Sequence, residues 1–240
     1  MHPVLFEIGG FKIFSYGALL AAAFLTTVTL ARRRAVALGM EGEKIIDLSI
    51  LLIISGVAGA RLMFVLLNID IYRSDPLSAF RLWEGGLVWY GGLILALTCA
   101  VIFLKINKMP VLKTGDLMMP YVALGQSIGR IGCFMNGCCY GKPTILPIGV
   151  TFDVSRGPVI PTQLIEAAAM FAVYLILRKR LPSNGRTLFL YLILYSAFRF
   201  FIEFLRGDNP AVWLGLTVSQ LISTAIFAAA VASWKIILSK

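Results

Sequence analysis

A chain of 240 residues that is 59% hydrophobic and only 14% charged, with a mean hydropathy of +0.86, cannot hide its apolar side chains in one water-soluble core. Lipid can solvate them, so the composition marks an integral membrane protein and excludes an ordinary soluble domain. The formal charge of +10 reads as a topology signal, and nucleic-acid binding is not expected, because no continuous basic groove or interleaved aromatic platform accompanies it.

Crossing ~30 Å of hydrocarbon takes about 20 apolar residues. On that rule the chain is expected to be an all-α polytopic membrane protein with about seven transmembrane helices. The first span, 14–30, contains Tyr16 and is followed by Arg32, Arg33, Arg34 and Lys44. A signal peptide carries its basic cluster before the apolar run, so this span is expected to be retained. The second, 45–67, holds Arg61 within SGVAGARLMF, where snorkelling or a structural ion pair competes with a functional role. The segment 68–86, with Tyr72, Arg73, Pro76 and Trp83, is expected to lie on the membrane surface, and its aromatic residues fit an interfacial belt. The third span, 87–104, carries Tyr90 and Cys99.

In the fourth span, 117–135, Gly125, Gly129 and Gly132 make a shallow groove along the helix that carries Arg130. The groove serves helix packing, ligand approach or both, and a pinned guanidinium offers a planar fork of donors suited to a phosphate. The segment 136–162 is rich in Gly and Pro and includes IGVTFDV, an alternating run expected to form a short strand or hairpin in a small extramembrane cap. Gln163 and Glu166 open the fifth span, 163–177. PTQLIE supplies no capping box, which leaves Thr162 to cap alone. Arg199 and Glu203 lie in the sixth span, 187–205, with Arg206 just beyond it. Spacings of four and three put all three on one side of a helix. A charge at the bilayer centre costs roughly 2.5 to 3.5 kcal/mol, so these residues are expected to face a polar, mostly cationic pocket filled by an anionic headgroup. The seventh span is 214–234, followed by Lys235 and Lys240.

The basic clusters after spans one, three (Lys105, Lys108, Lys113), five (Arg178, Lys179, Arg180, Arg186) and seven fall on one side. Short loops rich in Lys and Arg stay cytoplasmic. The amino terminus and the segments 68–86 and 136–162 are therefore expected outside, the carboxyl terminus in the cytoplasm, and 1–240 as one membrane domain.

GRIGCFMNGCCYG over 129–141 resembles the signature of the prolipoprotein diacylglyceryl transferases of bacterial inner membranes. The likeness continues in YG at Tyr16, GARL around Arg61, YGGLI from Tyr90, PTQLIE to Glu166, YSAFRFFIEFLR to Arg206 and LTVSQLIS from Leu216. The resemblance implies a seven-helix enzyme that moves the diacylglyceryl group of phosphatidylglycerol onto the lipobox cysteine thiol of preprolipoproteins, forming a thioether and releasing glycerol phosphate. It implies catalytic roles for Arg130, Arg199, Tyr90, Tyr16 and Glu203, with Arg130 on the lipid phosphate and Arg199 on the developing charge. Substrate binding falls to Arg130, Asn136, Gly141, Arg206, Arg61, Gln163 and Glu166, the last two also serving as structural hydrogen-bonding groups. The active site is expected to open to the periplasmic face of the inner membrane. No cofactor is implied, because the phosphate leaving group activates the electrophile.

Three positions depart from the family pattern. Tyr90 stands where many members have a histidine proposed as base, and the only histidine is His2. Cys133 and Cys138 replace residues that are commonly asparagine and glutamate. With Cys139 they are expected to be inert packing residues or to include one disulfide from Cys133; a metal site is disfavoured without histidine and with adjacent cysteines. Two rival readings stand beside the main one. A same-fold transferase with another acceptor is kept open by the altered signature. A non-enzymatic lipid or anion transporter is opposed by the outer position of the charges and the lack of an inverted repeat.

Overall fold

A computed structural model describes residues 4–9, 11–73, 75–152, 157–207 and 209–238; His2, Asp153, Val154 and Lys240, used above, lie outside these. Seven long helices occur in it: α1 (Ser15–Ala37), α2 (Gly42–Leu67), α4 (Trp89–Ile106), α5 (Val111–Asn136), α6 (Thr162–Leu177), α7 (Arg186–Ile202) and α8 (Val218–Leu238), with a single-turn α3 (Ile69–Tyr72). Five of them (α1, α2, α4, α7 extended to Leu205, and α8) are long and apolar enough to cross a membrane, and α6 is a shorter apolar helix. The chain is an all-α, multi-pass membrane protein. Its polar inventory is inverted accordingly: Gln163, Glu166, Glu203 and Gln220 are buried, while Leu25, Ile54, Leu67 and Ile94 are exposed. Thr27, Ser49, Thr98 and Thr224 each return their hydroxyl to the carbonyl four residues back, so these helices carry no loose hydroxyl there.

The chain divides into two compact units, residues 1–31 with 112–240, and residues 32–111. In the smaller unit α2 and α4 touch backbone to backbone. A Cβ added at Gly59 would lie 2.4 Å from the Gly91 carbonyl oxygen, and one at Gly92 would lie 2.7 Å from that of Gly56. Only glycine permits this approach. Arg61, buried on α2, then ties down the segment that follows. Its Nε donates to Ala79 O (2.7 Å), its Nη2 to Ser78 O (2.8 Å) and Arg81 O (3.2 Å), and its Nη1 to Gly85 O and Gly86 O.

In the larger unit Asp116 of α5 accepts the backbone N–H groups of Ser183 (2.7 Å), Gly185 (2.9 Å) and Leu188 (2.7 Å), a buried carboxylate at the positive end of α7. Ser127 of α5 donates to Ala167 O of α6 (2.8 Å), and Tyr191 of α7 donates to Gln126 of α5 (2.8 Å). Ala123, Met170, Val173, Leu177 and Tyr191 fill the space between these three helices.

Five local features depart from expectation. Helix α1 runs past the expected end and carries Arg32, Arg33 and Arg34 inside its last turns, where the side chains reach outward without breaking the helix. Residues 214–217 do not begin the last span: β3 (Ala211–Trp213) and β4 (Leu216–Thr217) pair around Leu214 and Gly215, both at positive φ. The expected hairpin over IGVTFDV is a pair of isolated bridges, Val150 to Val159 and Pro143 to Val159, among the described residues. A hairpin not foreseen, β1 (Val4–Ile8) with β2 (Phe11–Phe14), precedes α1. Finally, Thr162 does not cap α6; its hydroxyl donates to Cys139 O at 2.9 Å.

Candidate active site

The signature loop is shaped by the way α5 ends. Gly137, at φ +71°, takes the left-handed position after the helix; its N–H meets Phe134 O (3.1 Å) and that of Cys138 meets Cys133 O (3.2 Å). This is the Schellman closure, which folds the second residue past the helix back onto its last turn. Cys133 and Cys138 are brought together by it. Cys139 is also left-handed, at φ +62°, and turns its sulfur to 3.7 Å from that of Cys138. All four cysteines are free thiols. The Cys139 thiol is pulled down, to about 5, by the hydrogen bond from Cys133, against burial and with help from Cys138, Arg206 and Arg130. The side chain of Asn136 hydrogen-bonds the Cys138 thiol.

Two residues of α6 fasten this loop from below. Thr162 holds Cys139 O, and Gln163 Nε2 donates to Cys138 O at 2.7 Å. Gln163 Oε1 is buried with no partner among the described residues. Gly141 then threads between strands of backbone: its N–H reaches Ile160 O (2.8 Å), and an added Cβ would sit 2.6 Å from Leu205 O. The bridge Gly141 to Arg206 closes the loop onto the end of α7.

That closure lines up five charged side chains: Arg130 of α5, Glu166 of α6, Arg199 of α7, Glu203 in the 3-10 turn Glu203–Leu205 that follows α7, and the extended Arg206 after it. Arg130 Nε lies 2.7 Å from Glu166 Oε2, and the other Glu166 oxygen is 3.4 Å from Arg206 Nη1. Arg206 Nε is 4.0 Å from Glu203 Oε2, which is 2.7 Å from Arg199 Nη1. The order Arg130, Glu166, Arg206, Glu203, Arg199 alternates in sign. The Arg199–Glu203 contact is a close charge pair without hydrogen-bond alignment, and both atoms are buried. Glu166 and Glu203 are almost fully buried, whereas the side chain of Arg130 keeps 25% exposure. Beyond its Nε contact, Arg130 has no further partner among the described residues. A Cβ on neighbouring Gly129 would meet nothing within 4 Å, while Gly125 and Gly132 receive Thr27 and Tyr16 of α1. The glycine groove thus packs a helix at both ends and stays open beside Arg130.

Several members of this site were not singled out in the sequence. Thr217 and Asn209 donate to Glu203 Oε1 (2.8 and 2.7 Å), and Ser219 accepts from Arg199 Nη2 (3.3 Å). Thr217 and Gln220 form a reciprocal capping box at the start of α8 (Thr217 N to Gln220 Oε1, 3.0 Å; Gln220 N to Thr217 Oγ1, 3.3 Å). The T-x-x-Q pattern in LTVSQLIS is the signal for it. Tyr195 lies one helical turn before Arg199, in the field of Arg199, Arg130, Glu166 and Arg206, and the i, i+4 spacing is its signal.

Tyr16, Arg130, Asn136, Gly141, Gln163, Glu166, Arg199, Glu203 and Arg206 all belong to the larger unit; Arg61 and Tyr90 belong to the smaller. Tyr16 packs its ring against Gly132, 39% exposed, and Tyr90 stands edge-on to Trp89 at 5.3 Å, 38% exposed. Arg61, considered above as a substrate ligand, has its five N–H groups directed to five backbone carbonyls, which leaves its fork no donor for a phosphate.

The sequence model of the family described as prolipoprotein diacylglyceryl transferase matches residues 3–236. A relative from Clostridium tetani, named phosphatidylglycerol–prolipoprotein diacylglyceryl transferase, is 38% identical over 93% of this chain and 92% of its own length. One of the same name from Finegoldia magna is 38% identical over 96% and 94%, and one from Staphylococcus carnosus 32% identical over 93% and 86%.

Proposed function

The chain belongs to the prolipoprotein diacylglyceryl transferase family, and from that premise we propose how its network of three arginines and two glutamates carries the reaction. The protein is an enzyme that transfers the diacylglyceryl group of phosphatidylglycerol to prolipoproteins. The acceptor atom is the thiol of the lipobox cysteine, whose sulfur attacks the glycerol carbon that carries the phosphate. The carbon–oxygen bond breaks, a thioether forms, and glycerol phosphate leaves. The site opens to the outer face of the bacterial inner membrane.

The observation that carries this reading is the alternation itself. Counted on the five side chains alone, the network holds one positive charge in excess, which a phosphodiester of charge −1 neutralises. As the leaving phosphate gains a second charge, fixed guanidinium groups stabilise it more than they stabilise the bound lipid, which is the condition for rate acceleration. Arg130 holds the lipid phosphate with the part of its fork that Glu166 does not use. Arg199, held by Glu203 and Ser219, meets the developing charge, and Arg206 orients both glutamates. Gln163 Oε1 is an acceptor that a hydroxyl of the glycerol headgroup satisfies. Arg61 serves by holding residues 78–86 in shape.

Incubating purified protein with phosphatidylglycerol and a lipobox peptide tests the assignment. Thioether-linked diacylglycerol on the peptide is expected, falling roughly 10²- to 10³-fold in Arg130→Ala and in Arg199→Ala, the range for losing one preorganised donor. Wild-type rates in either variant reject that arginine's role, and a peptide left untouched by the wild type rejects the lipobox acceptor.

A further inference from the structure

The three sulfurs at the end of α5 take no part in the mechanism above. The Sγ atoms of Cys133, Cys138 and Cys139 lie within 4.8 Å of one another, and the pair Cys138–Cys139 stands at 3.7 Å. Three thiolates on one tetrahedral ion at ~2.3 Å are about 3.8 Å apart, so shifts of about an ångström or less close this triangle on one cation. Adjacent cysteines ordinarily diverge; here the left-handed Cys139 and the Schellman closure at Gly137 converge them. The sulfurs are half-buried, within reach of an outside ligand. Arg130 and Arg206 are the guanidinium groups whose fields reach Cys139, and they offset the negative charge of a thiolate centre. Soft sulfur donors select thiophilic ions over magnesium or calcium. Three protein donors is also the number in catalytic zinc sites, whose fourth position belongs to water or substrate.

We propose that Cys133, Cys138 and Cys139 form a three-thiolate site for one thiophilic d10 cation, zinc being the reference ion, whose fourth position takes the thiol of the acceptor protein. The second half rests on the transferase reading. A thiol that binds such an ion gives up its proton, here to water. The ion-bound sulfur then supplies the electron pair of the new carbon–sulfur bond, the carbon–oxygen bond breaks, and that pair departs on glycerol phosphate. Nothing is oxidised or reduced. The ion thereby performs the deprotonation for which this chain, with Tyr90 in place of a histidine, has no imidazole at that position.

Detergent-solubilised protein, reduced and stripped with chelator, is dialysed against zinc and its metal content measured. One ion per chain is expected, lost in Cys133→Ser, Cys138→Ser and Cys139→Ser and kept in Cys99→Ser. Because a serine variant can misfold, the wild type is also probed: zinc is expected to shield three of its four thiols from maleimide, and cadmium to give a thiolate-to-metal absorption band. A wild type that binds no ion, or three serine variants that all keep it, overturns the site. Stripped protein is expected to transfer diacylglyceryl to the lipobox peptide about tenfold more slowly or worse, with zinc restoring the rate, since only ~3% of an ordinary thiol of pKa ~8.5 is thiolate at pH 7. Full-rate transfer by metal-free protein overturns the activating role and leaves the transferase reading intact. Zinc bound but no transfer in any state overturns the transferase reading and leaves the ion site standing.

Discussion

Glu166 accepts contacts from arginines on two other segments, Arg130 at 2.7 Å and Arg206 at 3.4 Å, at 5% side-chain exposure. Removing the shared partner of a buried charge network leaves uncompensated charge, which typically costs about 3–5 kcal/mol. Glu166→Gln is accordingly expected to lower the thermal midpoint in detergent and to slow transfer, because Arg130 loses the contact that aims it; an unchanged midpoint contradicts the pairing. At Tyr90 the expectation is milder. Its phenol offers a hydrogen bond for positioning lipid or thiol, so Tyr90→Phe is predicted to reduce the transfer rate without abolishing it, and complete loss with the fold intact rejects an auxiliary role. The arginines and glutamates were legible in the sequence because charges inside apolar spans are costly. Their pairing was not: Arg130 and Glu166 are 36 positions apart, and nothing in the local pattern assigns one to the other.

The helices themselves follow from apolar runs of about 20 residues, and five of the seven expected spans begin within three positions of a helix start, while the fourth, expected from 117, has its helix start six residues earlier at Val111. The last was displaced by four residues, since Leu214 sits at φ +50° in a hairpin turn where a bulky residue is unusual and no Asn-Gly pair announces it. Where two elements meet, glycine decides. Gly91 on α4 faces the Gly59 carbonyl, and a Cβ there would lie 2.4 Å from that oxygen and 2.3 Å from Met63 Cβ. Gly91→Leu is expected to force α2 and α4 apart and destabilise the unit by more than the roughly 1–3 kcal/mol of ordinary overpacking, read as a lost unfolding transition or poor yield in detergent. A Gly129→Ala control, at a position with open space, is expected to keep the wild-type midpoint.

For the molecule as a whole, the basic clusters after alternate helices predict that the amino terminus faces outward. Single cysteines at Lys113 and Lys179, in a Cys-free background, should react with a membrane-impermeant maleimide only after the inner membrane is opened, whereas one at Ile145, fully exposed on the α5–α6 loop, should react in intact spheroplasts. The reverse pattern would move the site to the cytoplasmic face. Sequence alone established the lipid environment, the all-α class and the family, since each depends on composition, run length or ordered motifs that neighbours along the chain contain. Tertiary structure alone determined that Arg61 spends its donors on carbonyls, that Arg130 keeps part of its fork, and that three cysteines converge. Those outcomes depend on which backbone oxygen or side chain lies opposite, a matter of through-space distances of a few ångströms that positions along the chain do not encode.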